Sequence, residues 1–275
     1  MTEIQIKKAN VEGISCLIFS GEVTEPAPLV FFVHGVASDN RQGIPMGFEM
    51  ARKGFIFVSL DTILRGERKD QIFDPGIGGD FGSHYPEETW LDELFTMIRM
   101  IRQTDLDLKV LIKHFQHDPR VDLERIGMVG YSMGGWATFY NLAVNPRIKA
   151  AVAVAGIPSF EKRWNDMILE VSTNPEWSDS IVKNAEETSL RTDYIREMDP
   201  FPYLLKENNI PLLMICGDLD RGPKISCLDM YGKITRNDQQ KTNHLKMSIY
   251  DGIDHQLLLP MAEEAAEWLL EIFSD

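Results

Sequence analysis

The segment Gly130-Tyr131-Ser132-Met133-Gly134 carries the strongest chemical signal in the chain. It follows an apolar run at residues 126–129 and leads into a stretch, residues 134–144, that reads as a helix. A serine on a sharp strand-to-helix turn is forced into strained backbone geometry, and flanking glycines remove the side chains that would clash there. The turn lifts the hydroxyl above a sheet. It also aims the Met133 N–H, together with the positive end of the helix, at any oxyanion that develops. The chemistry implied is nucleophilic attack on a carbonyl carbon. A hydroxyl needs a base for that, and after a turn of this kind an acid and then a histidine follow the serine along the chain.

His255 fits the base. It stands in Asp251-Gly252-Ile253-Asp254-His255-Gln256, after a predicted strand at residues 245–250 and before a predicted helix at 256–273. His244 comes before that strand and so belongs at the opposite end of the sheet. His34, His84, His114 and His117 all precede the serine and break the order. The acid belongs at the end of the preceding strand, residues 211–216, which runs into Gly217-Asp218-Leu219-Asp220. By position either aspartate could hold the imidazole tautomer and stabilise the imidazolium.

These groups need a scaffold that brings strand ends to one edge. Segments 4–8 and 14–19, joined by a short glycine-containing turn, read as an antiparallel pair. Apolar runs at 29–33, 55–60, 125–130, 150–155 and 211–216 suit strands buried on both faces of a parallel sheet. Helices are expected at 47–53, 88–115, 134–144, 224–234 and 256–273. A long loop is expected at 61–85, and loops of that length are usually functional. The polar stretch 157–209, containing Trp164 and Trp177, interrupts the alternation and reads as a helical lid inserted into a single domain spanning 1–275. Lid aromatics such as Trp164, Trp177 and Tyr194 suggest contact with an apolar acyl or alcohol group. The architecture is α/β: a mainly parallel eight-stranded sheet with helices on both faces.

The 275 residues suffice for one large core. A formal net charge of −14 opposes nucleic acid and anionic membrane surfaces as partners. Three scattered cysteines, Cys16, Cys216 and Cys227, make neither a disulfide framework nor a metal knuckle. His114 and His117 lack a converging carboxylate or thiol, so a metal site is not expected. Pro75-Gly76-Ile77-Gly78-Gly79 lies inside a loop, not between strand and helix, and does not read as a phosphate cradle. No secretory signal and no membrane-length apolar run is apparent, and a cytoplasmic setting is the expectation.

Taken together, the motifs resemble those of bacterial α/β-hydrolases of the dienelactone-hydrolase and prolyl-oligopeptidase-like type, particularly small carboxylesterases. The residues that carry the resemblance are His34-Gly35, Asp61 with Arg65-Gly66 and Arg68, Asp118-Pro119-Arg120-Val121-Asp122 with Arg125-Ile126-Gly127, the serine turn, Gly217-x-x-Asp220 and Gly252-x-x-His255. The resemblance implies Asp220, three after the glycine, as the acid in preference to Asp218. It also implies the Val36 N–H, just after His34-Gly35, as the second oxyanion donor beside Met133. Here Asp220 is followed by Arg221-Gly222-Pro223, where the family usually has an apolar residue and proline. No Gly-Gly run follows His34, which separates the chain from the H-G-G-G esterases. The Asp61…Arg65-Gly66…Arg68 cluster is read as a brace for its loop at least as readily as a substrate contact.

The expectation is therefore hydrolysis of a small-molecule ester through an acyl-enzyme, without metal or organic cofactor. Thioesterase, peptidase or carbon–carbon hydrolase activity would use the same groups. A non-catalytic ligand-binding protein of this fold is the rival of another class, and a homodimer is compatible with the sequence.

Overall fold

Seven consecutive buried residues, Ala27–Val33, form a strand with no polar face, as expected for a strand covered by helices on both sides. The computed structural model that contains it describes residues 3–69, 90–174, 185–206, 211–237 and 244–274. In chain order the strands are β1 Gln5–Val11, β2 Ile14–Ser20, β3 Ala27–Val33, β4 Ile56–Leu60, β5 Val121–Tyr131, β6 Ala150–Val154, β7 Leu212–Gly217 and β8 Leu245–Tyr250. They form one eight-stranded sheet in the order β1-β2-β4-β3-β5-β6-β7-β8. β1 pairs antiparallel with β2, and β2 with β4; every pairing from β4 to β8 is parallel. This is the α/β-hydrolase fold.

The described helices are α1 Ile44–Arg52, α2 Trp90–Phe115, α3 Met133–Val144, α4 Phe160–Thr173, α5 Ala185–Met198, α6 Phe201–Lys206, α7 Arg221–Asn237 and α8 Leu259–Ser274. The two-residue period of the strands sorts their side chains between two layers. Leu29, Phe31 and Val33 pack with Ile98 and Ile101 of α2 and with Trp136 and Ala137 of α3. Val30 and Phe32 pack with Met46 and Met50 of α1 and with Ala265 and Leu269 of α8. Each fully buried side chain of this size contributes about 1.5–3 kcal/mol. A third cluster joins Met214 and Cys216 of β7 to Cys227 and Met230 of α7.

Several boundaries differ from the sequence reading. α1 begins at Ile44, earlier than residue 47, because a 3-10 turn at Asn40–Gly43 feeds into it. The Asp39 side chain caps that turn and Pro45 occupies the first turn of the helix. β5 begins at Val121, earlier than residue 125. Its pairing with β3 slips between Pro28 and Leu29, and Arg125 closes the irregularity with a 2.6 Å bond to Asp122. Of the loop expected at 61–85, a 3-10 turn at Gly66–Arg68 is seen; residues 70–89, with His84 and Gly76, lie outside the described residues.

The parallel strands deliver β3, β5, β7 and β8 to one edge at their C-terminal ends, where open α/β sheets place ligands. His34-Gly35-Val36, Ser132, Asp218–Asp220 and His255 all follow these ends. Helices α4, α5 and α6, within the expected insertion 157–209, lie between β6 and β7.

Candidate active site

Ser132 has φ 56 and ψ −117, a conformation that costs a non-glycine residue about 1–3 kcal/mol and persists only where the surroundings impose it. The imposition is steric. A Cβ on Gly134 would lie 1.8 Å from the Val33 carbonyl oxygen, and one on Gly130 would lie 1.9 Å from that of Gly134. Strand β3, strand β5 and the start of α3 thus meet backbone to backbone around the serine. The Ser132 N–H donates to Val154 O of β6 at 2.9 Å, which ties the turn to the next strand.

His255 joins the two partners that the sequence reading assigned to it. Its Nδ1 lies 2.7 Å from Asp220 Oδ2, and its Nε2 lies 2.8 Å from Ser132 Oγ. The partners fit a neutral imidazole with its proton on Nδ1. Nδ1–H then donates to the carboxylate, and Nε2 accepts from the hydroxyl. Asp220 is buried, with 9% of its side chain exposed, while the His255 side chain is 43% exposed. Asp218 does not reach the imidazole. Its Oδ1 accepts from the Ile253 N–H at 3.2 Å, and the Leu219 N–H donates to Ile253 O at 2.9 Å, so both bonds hold the loop that carries the histidine.

The segment expected to donate the second oxyanion bond lies against the serine: a Cβ on Gly35 would sit 3.4 Å from Ser132 Cβ. Buried His34 fixes this segment, donating from Nδ1 to Gly35 O at 2.7 Å and accepting the Thr62 N–H on Nε2 at 3.2 Å. Burial pushes the His34 imidazole below its ordinary value, consistent with a neutral ring that both donates and accepts. Gln42 Oε1 accepts the Gly35 N–H at 2.7 Å, and Arg65 Nε donates to Val36 O. Among the described residues neither the Val36 N–H nor the Met133 N–H donates a hydrogen bond.

The Asp61–Arg68 cluster braces this same segment. Asp61 accepts the N–H groups of Asn40 and Glu67 at 2.8 and 3.0 Å. Arg68 donates to Asp61 O at 3.0 Å and forms a 2.5 Å ion pair with Asp107 of α2; both side chains are almost fully buried.

A cleft of about 1010 Å³ opens over Ser132, Asp220 and His255, walled by Arg163, Asp166 and Glu170 of α4 and by Ile225 of α7. A side pocket of about 330 Å³, lined by Val36, Leu94, Met97, Trp136 and Met167 together with the charged Glu93 and Arg163, extends from the Val36 side. This corrects the expectation for the lid aromatics. α4 turns Phe160, Trp164, Met167 and Val171 inward, and Trp164 is fully buried with its Nε1–H bonded to Thr192 at 2.8 Å. Tyr194 packs on Phe95, at 5.5 Å between ring centres, and Trp177 lies outside the described residues. The polar stripe of the amphipathic helix faces the cleft instead.

Other expected features have plain surroundings. His114 and His117 are exposed, and Cys16, Cys216 and Cys227 are buried free thiols. Among the described residues no group of three metal-ligating side chains converges, and no helix is long and apolar enough to cross a membrane. Two contributors to the site had not been singled out in the sequence: Gln42, and Tyr131, whose hydroxyl donates to His255 O at 2.9 Å. Neither bond has a local signature, since each partner is fixed only by the folded loops.

The chain is 25% identical over 268 residues to "Putative esterase YitV" of Bacillus subtilis (strain 168), covering 96% of this chain and 98% of that protein. The crystal structure of TT1662 from Thermus thermophilus superposes with a TM-score of 0.69 at 15% identity, covering 98% of this chain and 99% of that one. Acetyl xylan esterase 1 from Thermoanaerobacterium sp. JW/SL YS485 gives 0.65 at 20% identity, over 99% and 89% of the two chains. These structures share the fold. The family model for dienelactone hydrolases matches residues 19–187, a span that holds β3, the serine turn and their surroundings, and the chain belongs to the dienelactone hydrolase family.

Proposed function

We propose that this chain hydrolyses carboxylic esters through an acyl-enzyme formed on Ser132. The observation that carries the reading is the continuous hydrogen-bond chain from Ser132 Oγ through His255 to buried Asp220, at 2.8 and 2.7 Å. Ser132 Oγ attacks the ester carbonyl while its proton passes to His255 Nε2. Asp220 holds the ring orientation and stabilises the imidazolium. The tetrahedral oxyanion is met by the N–H groups of Val36 and Met133. Collapse breaks the bond to the alcohol oxygen, which takes the proton from Nε2 and leaves. Water then repeats the sequence on the acyl-serine and releases the acid. Every proton and electron pair is accounted for by groups of this chain, substrate and water.

The ester specificity also draws support from the names of the Bacillus subtilis relative and of the acetyl xylan esterase neighbour. The mostly apolar side pocket beside Val36 suits the acyl group, and the larger, more polar cleft suits the alcohol. A fluorophosphonate probe tests the reading: one phosphonyl group is expected on Ser132 in the wild type and none in Ser132→Ala, which should lose about 10⁵-fold or more in kcat on a 4-nitrophenyl ester. An unlabelled wild type, or a Ser132→Ala enzyme within tenfold of it, would reject the assignment. A ligand-binding protein that does no chemistry would give the first of these results.

A further inference from the structure

Tyr131, the residue before the nucleophile, is bonded to the backbone of the residue that serves as base. Its hydroxyl donates to His255 O at 2.9 Å, and its ring lies 5.4 Å from the imidazole, tilted by 37°. The rest of Tyr131 is fixed independently: it ends β5 in register with Val154 of β6 and is 8% exposed. The phenol is held above its ordinary value by burial and by the charge of Asp220, so it remains a donor across the working pH range. The imidazole of His255 is bonded to Asp220 at 2.7 Å, but the backbone that carries the ring is fixed less firmly than Tyr131. His255 lies in a loop, its side chain is 43% exposed, and its own N–H is taken by the Asp254 side chain at 2.8 Å. The bonds from Asp218 and Leu219 end at Ile253, two residues before the ring. The bond from Tyr131 reaches His255 itself.

We propose that Tyr131 is a positioning residue for the base. It couples the strand that carries Ser132 to the carbonyl of His255, and so fixes the distance between Oγ and Nε2. The inference rests on the esterase reading above. Proton transfer in both half-reactions runs through Nε2, and a displacement of about 1 Å in such a pair can cost 10²-fold in rate. One hydrogen bond does not hold the whole loop, so the loss should be smaller.

Tyr131→Phe keeps the ring and removes only the donor. Expected is a fall of about tenfold in kcat on a 4-nitrophenyl ester, with KM within twofold and a matching fall in the rate of fluorophosphonate labelling. The melting temperature should drop by no more than about 2–4 °C. A merely structural role would lower the melting temperature and leave kcat within twofold of wild type, and that result overturns the inference. So does an unchanged kcat with a raised KM, which would make the phenol a substrate contact. If wild type itself takes no label at Ser132, the esterase reading fails and this inference falls with it. If wild type labels and Tyr131→Phe labels at the same rate, only the inference fails. Should Tyr131→Phe not fold, Tyr131→Met, a flexible apolar side chain that also lacks the donor, gives the same readouts: about tenfold slower labelling if the donor positions the base, overturned by a wild-type rate.

Discussion

The edge of the sheet that carries the candidate site is held by two different kinds of structure. On the side of β3 and β4, His34 and Asp61 are buried and bonded on both polar atoms, and a buried Arg68–Asp107 pair ties the cluster to α2. On the side of β7 and β8, the imidazole is nearly half exposed, and its loop is held by a few bonds from Tyr131, Asp218 and Leu219. In the proposed mechanism the first side presents a fixed N–H dipole, and its worth depends on not reorganising when charge develops. The second side must take up and release protons twice per turnover. Solvent access suits that task, and burial would oppose the charged ring. A rigid donor and a wetter base are therefore what this division of labour requires.

The largest test of the contrast is on the base side. Asp220→Asn should lower kcat by roughly 10⁴-fold, because an amide can neither stabilise imidazolium nor enforce the Nδ1–H tautomer. Asp218→Asn, which touches the loop backbone and not the ring, should stay within about tenfold and lose about 1 kcal/mol of stability. Saturating assays on one small ester, with urea unfolding of both variants, separate the two. A dead Asp218→Asn beside a normal Asp220→Asn would reassign the acid.

On the other side, Arg68→Met should cost stability more than chemistry. It leaves the Asp107 carboxylate buried without its cation, a change worth about 3–5 kcal/mol. Urea unfolding would show it as a lower midpoint at unchanged slope. A loss under about 1 kcal/mol would mean that the pair is not the brace described above.

The smallest effect comes from pH. His34 titrates lower in the folded chain than in the unfolded one, because burial disfavours its charged form. The unfolded chain therefore binds more protons as pH falls below the ordinary histidine value of about 6.5, and the contribution of His34 to stability, intact above that pH, is lost progressively on acidification. The effect is a loss of stability as pH falls from about 7 to about 5.5. It is read as the part of the acid destabilisation that disappears in His34→Gln. A variant that keeps the full pH dependence would show that other groups carry it.

What could be read from the sequence follows the same division. The serine turn declares itself through its flanking glycines, and the eight strands through apolar runs or alternation, because these are local signals. His255 followed from chain order and its place after β8. Asp220 could be preferred over Asp218 only through resemblance, since two residues apart on one loop both satisfy position. The bonds of Tyr131 to His255 and of Arg68 to Asp107 join residues distant in sequence and leave no local trace, and that of Gln42 to Gly35, only seven residues away, is set by the fold of its loop. The lid aromatics misled for a related reason: composition identifies Trp164 as a large apolar side chain, while the helical period that buries it shows only once the neighbouring Phe160, Met167 and Val171 are counted with it.

One carboxylate in the insertion has a wider consequence. Asp199 accepts the N–H groups of Phe160 and Glu161 at 3.0 and 3.4 Å, and that of Phe201 at 3.1 Å, so it caps the starts of both α4 and α6. The two ends of segment 160–199 are thereby pinned at a single point. Closing a segment whose ends already meet costs little more entropy as the segment grows, about 0.6 kcal/mol for each doubling of length. The length of the chain between these ends can therefore change at little entropic cost, and the polar face of α4 that walls the cleft can be rewritten. The buried face of α4 (Phe160, Trp164, Met167 and Val171) belongs to the core shared with β3 and α2 and has to be kept.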